Sequence, residues 1–381
     1  MTPFEAVRAR EYPGLDGIFF NAASWGLLPR RTVDAVAELG ARRNRWEGFD
    51  EAELVGTLAR ARTAAARLIG ATAAEIALAP NTSFGVNLAA ACVGQGPPGT
   101  ILVSAGEFPA NVYPWLPLEA RGFRVDILPT GPDALPDEER LCTALERADV
   151  RGLAVSQVQF ATGSRADLGR LGALCRARGI LFAVDAIQGL GGAPLDVRAA
   201  GIDVLACGGQ KWLCSPWGSG FAFVDRALLE RFDPPMVSWL AMRSAADFTS
   251  LGGYAWEPLE DARRFELATL GIQDHLGLAV SIELILELGP ERIHEHLMGV
   301  HAPLLEWAES RRDVVMVTPR DPERRAGIVS FRTPDPERTA AALGRARVIC
   351  AVREGAVRLA PHFYNTADEM RAVVEVLDRS D

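Results

Sequence analysis

The sequence predicts an α/β fold: a large domain with a mostly parallel sheet flanked by helices, plus a smaller C-terminal α+β domain. Three observations carry this. Short apolar runs alternate with helical patterns through the first two-thirds of the chain. One of those runs, Ile180-Leu-Phe-Ala-Val-Asp185, is apolar throughout and ends on an acid, as a buried parallel strand does when its carboxyl end faces a site. From about residue 265 the alternation gives way to two long helical stretches followed by several short strands.

Asn81 opens the series. It precedes Thr82 and Ser83, which lead into an apolar helix over 84–92 and can serve as ordinary caps or as a helix N-terminus with free amides, a good phosphate site. Residues 100–104, 123–128, 152–156, 180–185 and 203–207 read as strands. Between two of them, 167–178 repeats apolar residues at Leu168, Leu171, Leu174 and Cys175, and Gly179 stops the helix. That is a βαβ unit, from which a parallel sheet follows. Gly220-Phe-Ala-Phe-Val224 is a further apolar run. Helices over 271–288 and 290–311 and strands over 314–317, 327–331, 348–352 and 356–359 make up the second pattern.

Composition sets bounds. With 381 residues, 49% of them hydrophobic, the chain can bury a large core and has the length of two or three domains. A formal net charge of −9 argues against nucleic-acid or anionic-membrane partners. No apolar stretch reaches spanning length, and the first ten residues lack the apolar core of a signal peptide, so the expected location is the cytoplasm. The six cysteines show no metal spacing and are expected to be reduced and mostly buried.

The chemistry concentrates at Lys211. It stands between the apolar runs 203–207 and 220–224, among small residues, so its ammonium is carried into a crevice, where desolvation favours the neutral amine and makes it a nucleophile toward aldehydes. Asp185 lies 26 residues earlier, at the end of the preceding strand. An acid and a lysine so placed have the layout needed to hold pyridoxal phosphate. The lysine forms a Schiff base with the aldehyde, and the carboxylate keeps the pyridine nitrogen protonated.

Five ordered motifs then carry a resemblance. Val184-Asp-Ala-Ile-Gln188 with Gly209-Gln-Lys-Trp-Leu213, Asn81-Thr-Ser-Phe-Gly-Val-Asn87, Glu107-Phe-Pro-Ala-Asn111, Arg264-Phe-Glu-Leu-Ala-Thr269 and Val357-Arg-Leu-Ala-Pro-His-Phe-Tyr-Asn-Thr366 span most of the chain. Together they resemble the class V aminotransferase family, fold type I pyridoxal phosphate enzymes that include cysteine desulfurases, kynureninases and isopenicillin N epimerase-like proteins. The resemblance implies a large cofactor domain over about 20–255, with 1–19 joining 256–381 in the smaller domain, and a homodimer with the site at the subunit boundary. It implies phosphate contacts from Thr82, Ser83, Gln210 and Thr269 of a second subunit, ring stacking by Phe108, and a hydrogen bond from Gln188 to the ring oxygen. It also implies that Arg358 grips the substrate carboxylate, a task for which Arg353 competes.

The departures inform as well. Phe108 stands where desulfurases carry a histidine, Gln210 replaces their phosphate-binding histidine, Gly208 replaces a serine, and Phe160 replaces an asparagine. Glu354-Gly-Ala-Val357 lacks the mobile cysteine that desulfurases need. The expected activity is therefore that of a pyridoxal phosphate-dependent aminotransferase acting on a small amino acid. A C–S or C–C lyase or an epimerase is the alternative, and a catalytically retired scaffold is the reading outside enzymes. Weaker signals stay with bland readings. Gly189-Leu-Gly-Gly192 lacks the third glycine of a dinucleotide turn. His294, His296 and His301 are expected on a solvated helix face, with no metal site. Trp212, Trp217, Tyr254 and Trp256 are candidates for a substrate wall or an interface.

Overall fold

The computed structural model describes residues 2–47, 50–131, 133–247 and 249–380. Seven strands form the large sheet: β1 (Ile76–Ala79), β2 (Thr100–Ser104), β3 (Arg124–Leu128), β4 (Val150–Ser156), β5 (Leu181–Asp185), β6 (Val204–Gly208) and β7 (Gly220–Val224). Their spatial order is β1-β7-β6-β5-β4-β2-β3, and β7 alone runs against its neighbours. Every residue of β5, β6 and β7 is buried. This is why they read as continuous apolar runs rather than alternating ones.

The helices are α1 (Pro3–Glu11), α2 (Arg30–Arg45), α3 (Glu51–Ile69), α4 (Thr82–Gly94), α5 (Glu138–Leu145), α6 (Leu168–Arg178), α7 (Arg226–Arg231), α8 (Ile272–Leu288), α9 (Pro290–Glu309), α10 (Pro336–Arg345) and α11 (Ala367–Ser380). The two faces of the large sheet are built differently. One offers Leu102, Leu153, Phe182, Leu205 and Phe223 to a core shared with α3, α6 and α8. The other offers Ala77, Ala154, Ala183, Ala206 and Ala222 beneath α4. Small residues bring α4 down onto the sheet: a Cβ on Gly85 would sit 2.6 Å from that of Ala206. That approach delivers the α4 N-terminus to the carboxyl end of β6, where the Gly208 amide donates to Thr82 Oγ1 at 2.9 Å.

A separate antiparallel sheet contains β8 (Val315–Met316), β9 (Val329–Arg332), β10 (Ala351–Arg353) and β11 (Ala356–Leu359), in the order β10-β11-β9-β8. One expectation is corrected here. The stretch 348–352 is not one strand: Val348–Ile349 pairs in parallel with Ile18–Phe19, and the chain resumes in β10 beyond Cys350. The two halves serve different partners, so apolar character ran across a break. The carboxyl-end crevice of β5 and β6 is faced by the loop after Phe20 and by β11.

Candidate active site

Asp185 closes β5 and is 3% exposed. The one hydrogen bond to its carboxyl group among the described residues comes from the Ile187 amide to Oδ1, at 2.9 Å. Burial pushes its carboxyl up to about 7, opposed by that amide and by the nearby Lys211. Lys211 follows β6 in a turn held by the Gly209 and Cys214 amides, which donate to Ser219 and Lys211 carbonyls. Desolvation brings its amine down to about 8, with Arg358 adding to that and Asp185 resisting it. The lysine is partly buried, and its Nζ lies 5.5 Å from the Phe108 ring centroid.

Arg358, on β11, is 2% exposed and has no carboxylate partner among the described residues. Its Nη1 donates to the Phe160 carbonyl at 2.8 Å and its Nη2 to Ser24 Oγ at 2.9 Å, while Nε has no partner. Burial lowers its guanidinium to about 10, with Arg353 adding to the effect. A buried cation left without an anion is costly unless one arrives. Here the fork is oriented by neutral groups, the Phe160 carbonyl and the Ser24 hydroxyl.

The other expected residues fall around these three. Thr82 is buried with its hydroxyl on Gly208, Ser83 is exposed beside it, and the backbone amides of both have no hydrogen-bond partner among the described residues, as the first turn of a helix requires of an anion site. Gln210 is partly buried, and a Cβ on Gly208 would meet its Oε1 at 2.4 Å, so the glycine makes room for the glutamine. Phe108 is 45% exposed and packs edge-on against Phe160, so it is not a core phenylalanine. Gln188 is buried: its amide nitrogen donates to the Ala23 carbonyl at 3.0 Å and its oxygen accepts from Trp212 Nε1 at 2.8 Å, leaving one amide hydrogen. Thr269 is exposed on the segment before α8.

Two readings are corrected. Trp212 does not wall a pocket: it is wholly buried behind the site, bonded to Gln188 and accepting from His362 Nε2 at 2.8 Å. Gly191 at φ 97° and Gly192 seat it, since a Cβ on Gly191 would lie 2.2 Å from the Trp212 carbonyl oxygen. The glycine run is thus a seat for an indole. Nor are the α9 histidines solvated. His301 is fully buried and bonded through Nε2 to the Gly327 carbonyl, His296 stacks on Phe4, and His294 reaches the Gly192 carbonyl, because α9 packs against neighbours on more than one side. Among the described residues no cluster of His, Cys, Asp or Glu has metal-binding geometry.

The sequence reading missed Ser24 and Glu107. Ser24 orients Arg358; the small-residue turn Asn21-Ala-Ala-Ser24 was the available signal. Glu107 is raised by burial despite bonds from Ser156 and Asn111, and its charge adds slightly to the rise of Asp185. A further signal was overlooked: Lys211 is the single lysine among 40 basic residues.

Two expected results follow. The folded pKa of Asp185 lies above its unfolded value. The stability it lends the cofactor-free protein is therefore full below about 4 and is lost as pH rises through about 7. Asp185→Asn should flatten the decline of melting temperature across that window; an unchanged slope would contradict the burial. For Lys211, the rate of modification by an amine-directed reagent, read on its own peptide by mass spectrometry, should reach half its maximum near pH 8 rather than near 10.5.

An enzyme that works through the aldehyde of pyridoxal phosphate is the class that these groups define. A family model for aminotransferase class-V matches residues 19–372, and the chain belongs to that family. It is 28% identical over 332 residues to an uncharacterized aminotransferase of Bacillus subtilis, covering 87% of this chain and 85% of that one. It is 30% identical over 395 residues to isopenicillin N epimerase of Streptomyces clavuligerus, covering 98% of each. The solved structure of an apo cysteine desulfurase from Thermococcus onnurineus matches with a TM-score of 0.88 at 25% identity, over 100% of this chain and 98% of that one.

Proposed function

We propose that the chain is a pyridoxal phosphate-dependent aminotransferase acting on a small amino acid. The observation that carries this is a partly buried lysine of lowered pKa beside a buried acid, with a buried arginine facing the same crevice, the acid and the arginine each without an oppositely charged hydrogen-bond partner among the described residues. The cofactor fits them. Asp185 is suited to hold a protonated pyridine nitrogen, Lys211 the aldehyde, Phe108 the ring face and Gln188 the ring oxygen, while Thr82, Ser83 and Gln210 are suited to the phosphate. When bound, the cofactor supplies an electron sink for charge developing at the substrate α-carbon.

The chain supplies the rest. Arg358 orients the substrate through its carboxylate, and the Lys211 amine, substantially neutral near pH 8, takes the α-proton at Nζ. Phe108 and Phe160 line the approach and cannot move a proton, which favours returning it from the same lysine rather than from an opposite face as epimerisation needs. Sulfur transfer is disfavoured by the hairpin between β10 and β11. Its turn is Glu354-Gly355, both at positive φ, with no loop to carry a thiol.

Assembly and location belong to the same reading. Trp217, Trp239, Tyr254 and Trp256 expose large apolar surfaces, supporting a homodimer in which Thr269 reaches the other subunit's site. An active monomer in solution would contradict that arrangement. Residues 20–255 are read as the cofactor domain and 1–19 with 256–381 as the smaller one, because the large sheet lies within 76–224 and the antiparallel sheet within 315–359. Six free cysteines, five of them buried, agree with a reducing cytoplasm. No helix among the described residues is long and apolar enough to cross a membrane.

The reaction is tested by adding a panel of amino acids to the cofactor-loaded protein. Transamination predicts bleaching of the visible band with stoichiometric keto acid and no ammonia. Ammonia accompanying the keto acid would replace it with elimination, and α-hydrogen exchange with inversion and no keto acid would replace it with epimerisation.

A further inference from the structure

The partner strands of Arg358 place a second cation beside it. In the β10–β11 ladder Ala351 lies opposite Arg358 and Arg353 opposite Ala356. Ala351 and Arg353 are two apart and share a face, so Arg353 is the diagonal neighbour of Arg358 on the face turned to the crevice. The two-residue turn at Glu354 (φ 49°) and Gly355 (φ 71°) fixes that register without slack.

Neither arginine has a carboxylate partner among the described residues. Many other arginines pair with acids, as Arg42 with Glu53, Arg60 with Glu283, Arg62 with Glu266 and Arg147 with Asp126, while Arg121, Arg151 and Arg325 bond backbone carbonyls. The Arg353 side chain is exposed and makes one hydrogen bond, from Nη1 to the Val352 carbonyl of its own strand. Glu354 follows it in the turn and forms no ion pair there. Arg353 lies close enough to Arg358 and Lys211 to disfavour the charged form of each. The hairpin thus carries two guanidiniums on one face, whereas a single α-carboxylate needs one.

We infer that the site takes amino dicarboxylates, with Arg358 on the α-carboxylate and Arg353 on the carboxylate at the far end of the substrate side chain. This rests on the role of Arg358 in the proposed function and narrows the substrate class within it. One guanidinium is deep and rigid and the other is exposed at the rim. The first sets orientation, and the second adds affinity and selects against neutral side chains. Arg353 is a specificity residue on this account; Lys211 alone moves the proton.

The test uses the cofactor-loaded protein and two acids that cannot react, glutarate and butyrate, with binding read by calorimetry and by perturbation of the visible band. Glutarate should bind roughly threefold to fivefold tighter, the upper part of the range expected of one exposed ion pair. In Arg353→Gln the two affinities should converge to within about twofold, and Arg353→Lys should keep part of the difference. Arg358→Gln should weaken both acids together. With substrates, Arg353→Gln should raise KM for aspartate or glutamate with little change in kcat, the mark of uniform binding. Equal affinities in the parent protein, or a preference that survives in Arg353→Gln, would overturn the inference. A missing visible band would count against the cofactor reading instead, since calorimetry reports the acids whether or not the band forms.

Discussion

Lys211→Ala is expected to lower turnover by roughly three to four orders of magnitude, the cost of removing a positioned general base, and to leave the fold intact. The second half of that expectation comes from the structure. Its Nζ makes no hydrogen bond among the described residues, and its ammonium is disfavoured by burial, so alanine removes an electrostatic strain rather than a contact. Melting temperature should hold or rise slightly while kcat collapses. Lys211→Arg should not rescue, because a guanidinium stays protonated and cannot serve as nucleophile or base at neutral pH. Since no other lysine exists in the chain, no neighbour can substitute. Activity above about a tenth of the parent value in either variant would mean that the proton carrier lies elsewhere.

The largest effect on stability is expected at Glu266, which sits in the motif that precedes Thr269. Its carboxylate accepts from Arg62 Nε and Nη2 at 2.8 and 2.6 Å and from the Leu78 amide at 2.9 Å, with both side chains close to fully buried. Glu266→Ala leaves a buried guanidinium without its anion and orphans an amide of β1. The loss should be about 3–5 kcal/mol, read from the midpoint of denaturant unfolding at constant slope. Replacing Arg62 and Glu266 together by methionine should restore most of it, because the stranded charge is then gone. A loss below about 1 kcal/mol in Glu266→Ala would show that the pair is hydrated. β1 leads directly into Asn81 and the α4 N-terminus, so the same variant should also bind the cofactor phosphate more weakly.

Most of the large sheet could be read from sequence because its central strands are buried on both faces and are bounded by glycines and acids. β1 was not: four residues of Ile-Ala-Leu-Ala carry little β signal, and only its pairing with β7 makes it a strand. Asp185, Lys211 and Arg358 were legible as chemistry, since each is a charged residue in apolar surroundings. Trp212 and the α9 histidines were misread for the converse reason: both are polar-tipped groups whose partners, Gln188 and the Gly327 carbonyl, come from distant segments. Ser24 and Glu107 were missed likewise, because their roles depend on β11 and β4 closing over them. The pairing of Arg353 with Arg358 appears only once the hairpin register is known.

The central claim is that Lys211 holds pyridoxal phosphate. The measurement that tests it most directly is the visible absorption spectrum of the purified protein with added cofactor, followed by borohydride reduction and peptide mass mapping. The account predicts a visible band, lost in Lys211→Ala, and after reduction a single cofactor adduct on the peptide containing Lys211. No band after addition of cofactor, or an adduct confined to the N-terminal amine, would contradict it and leave the retired scaffold as the better description.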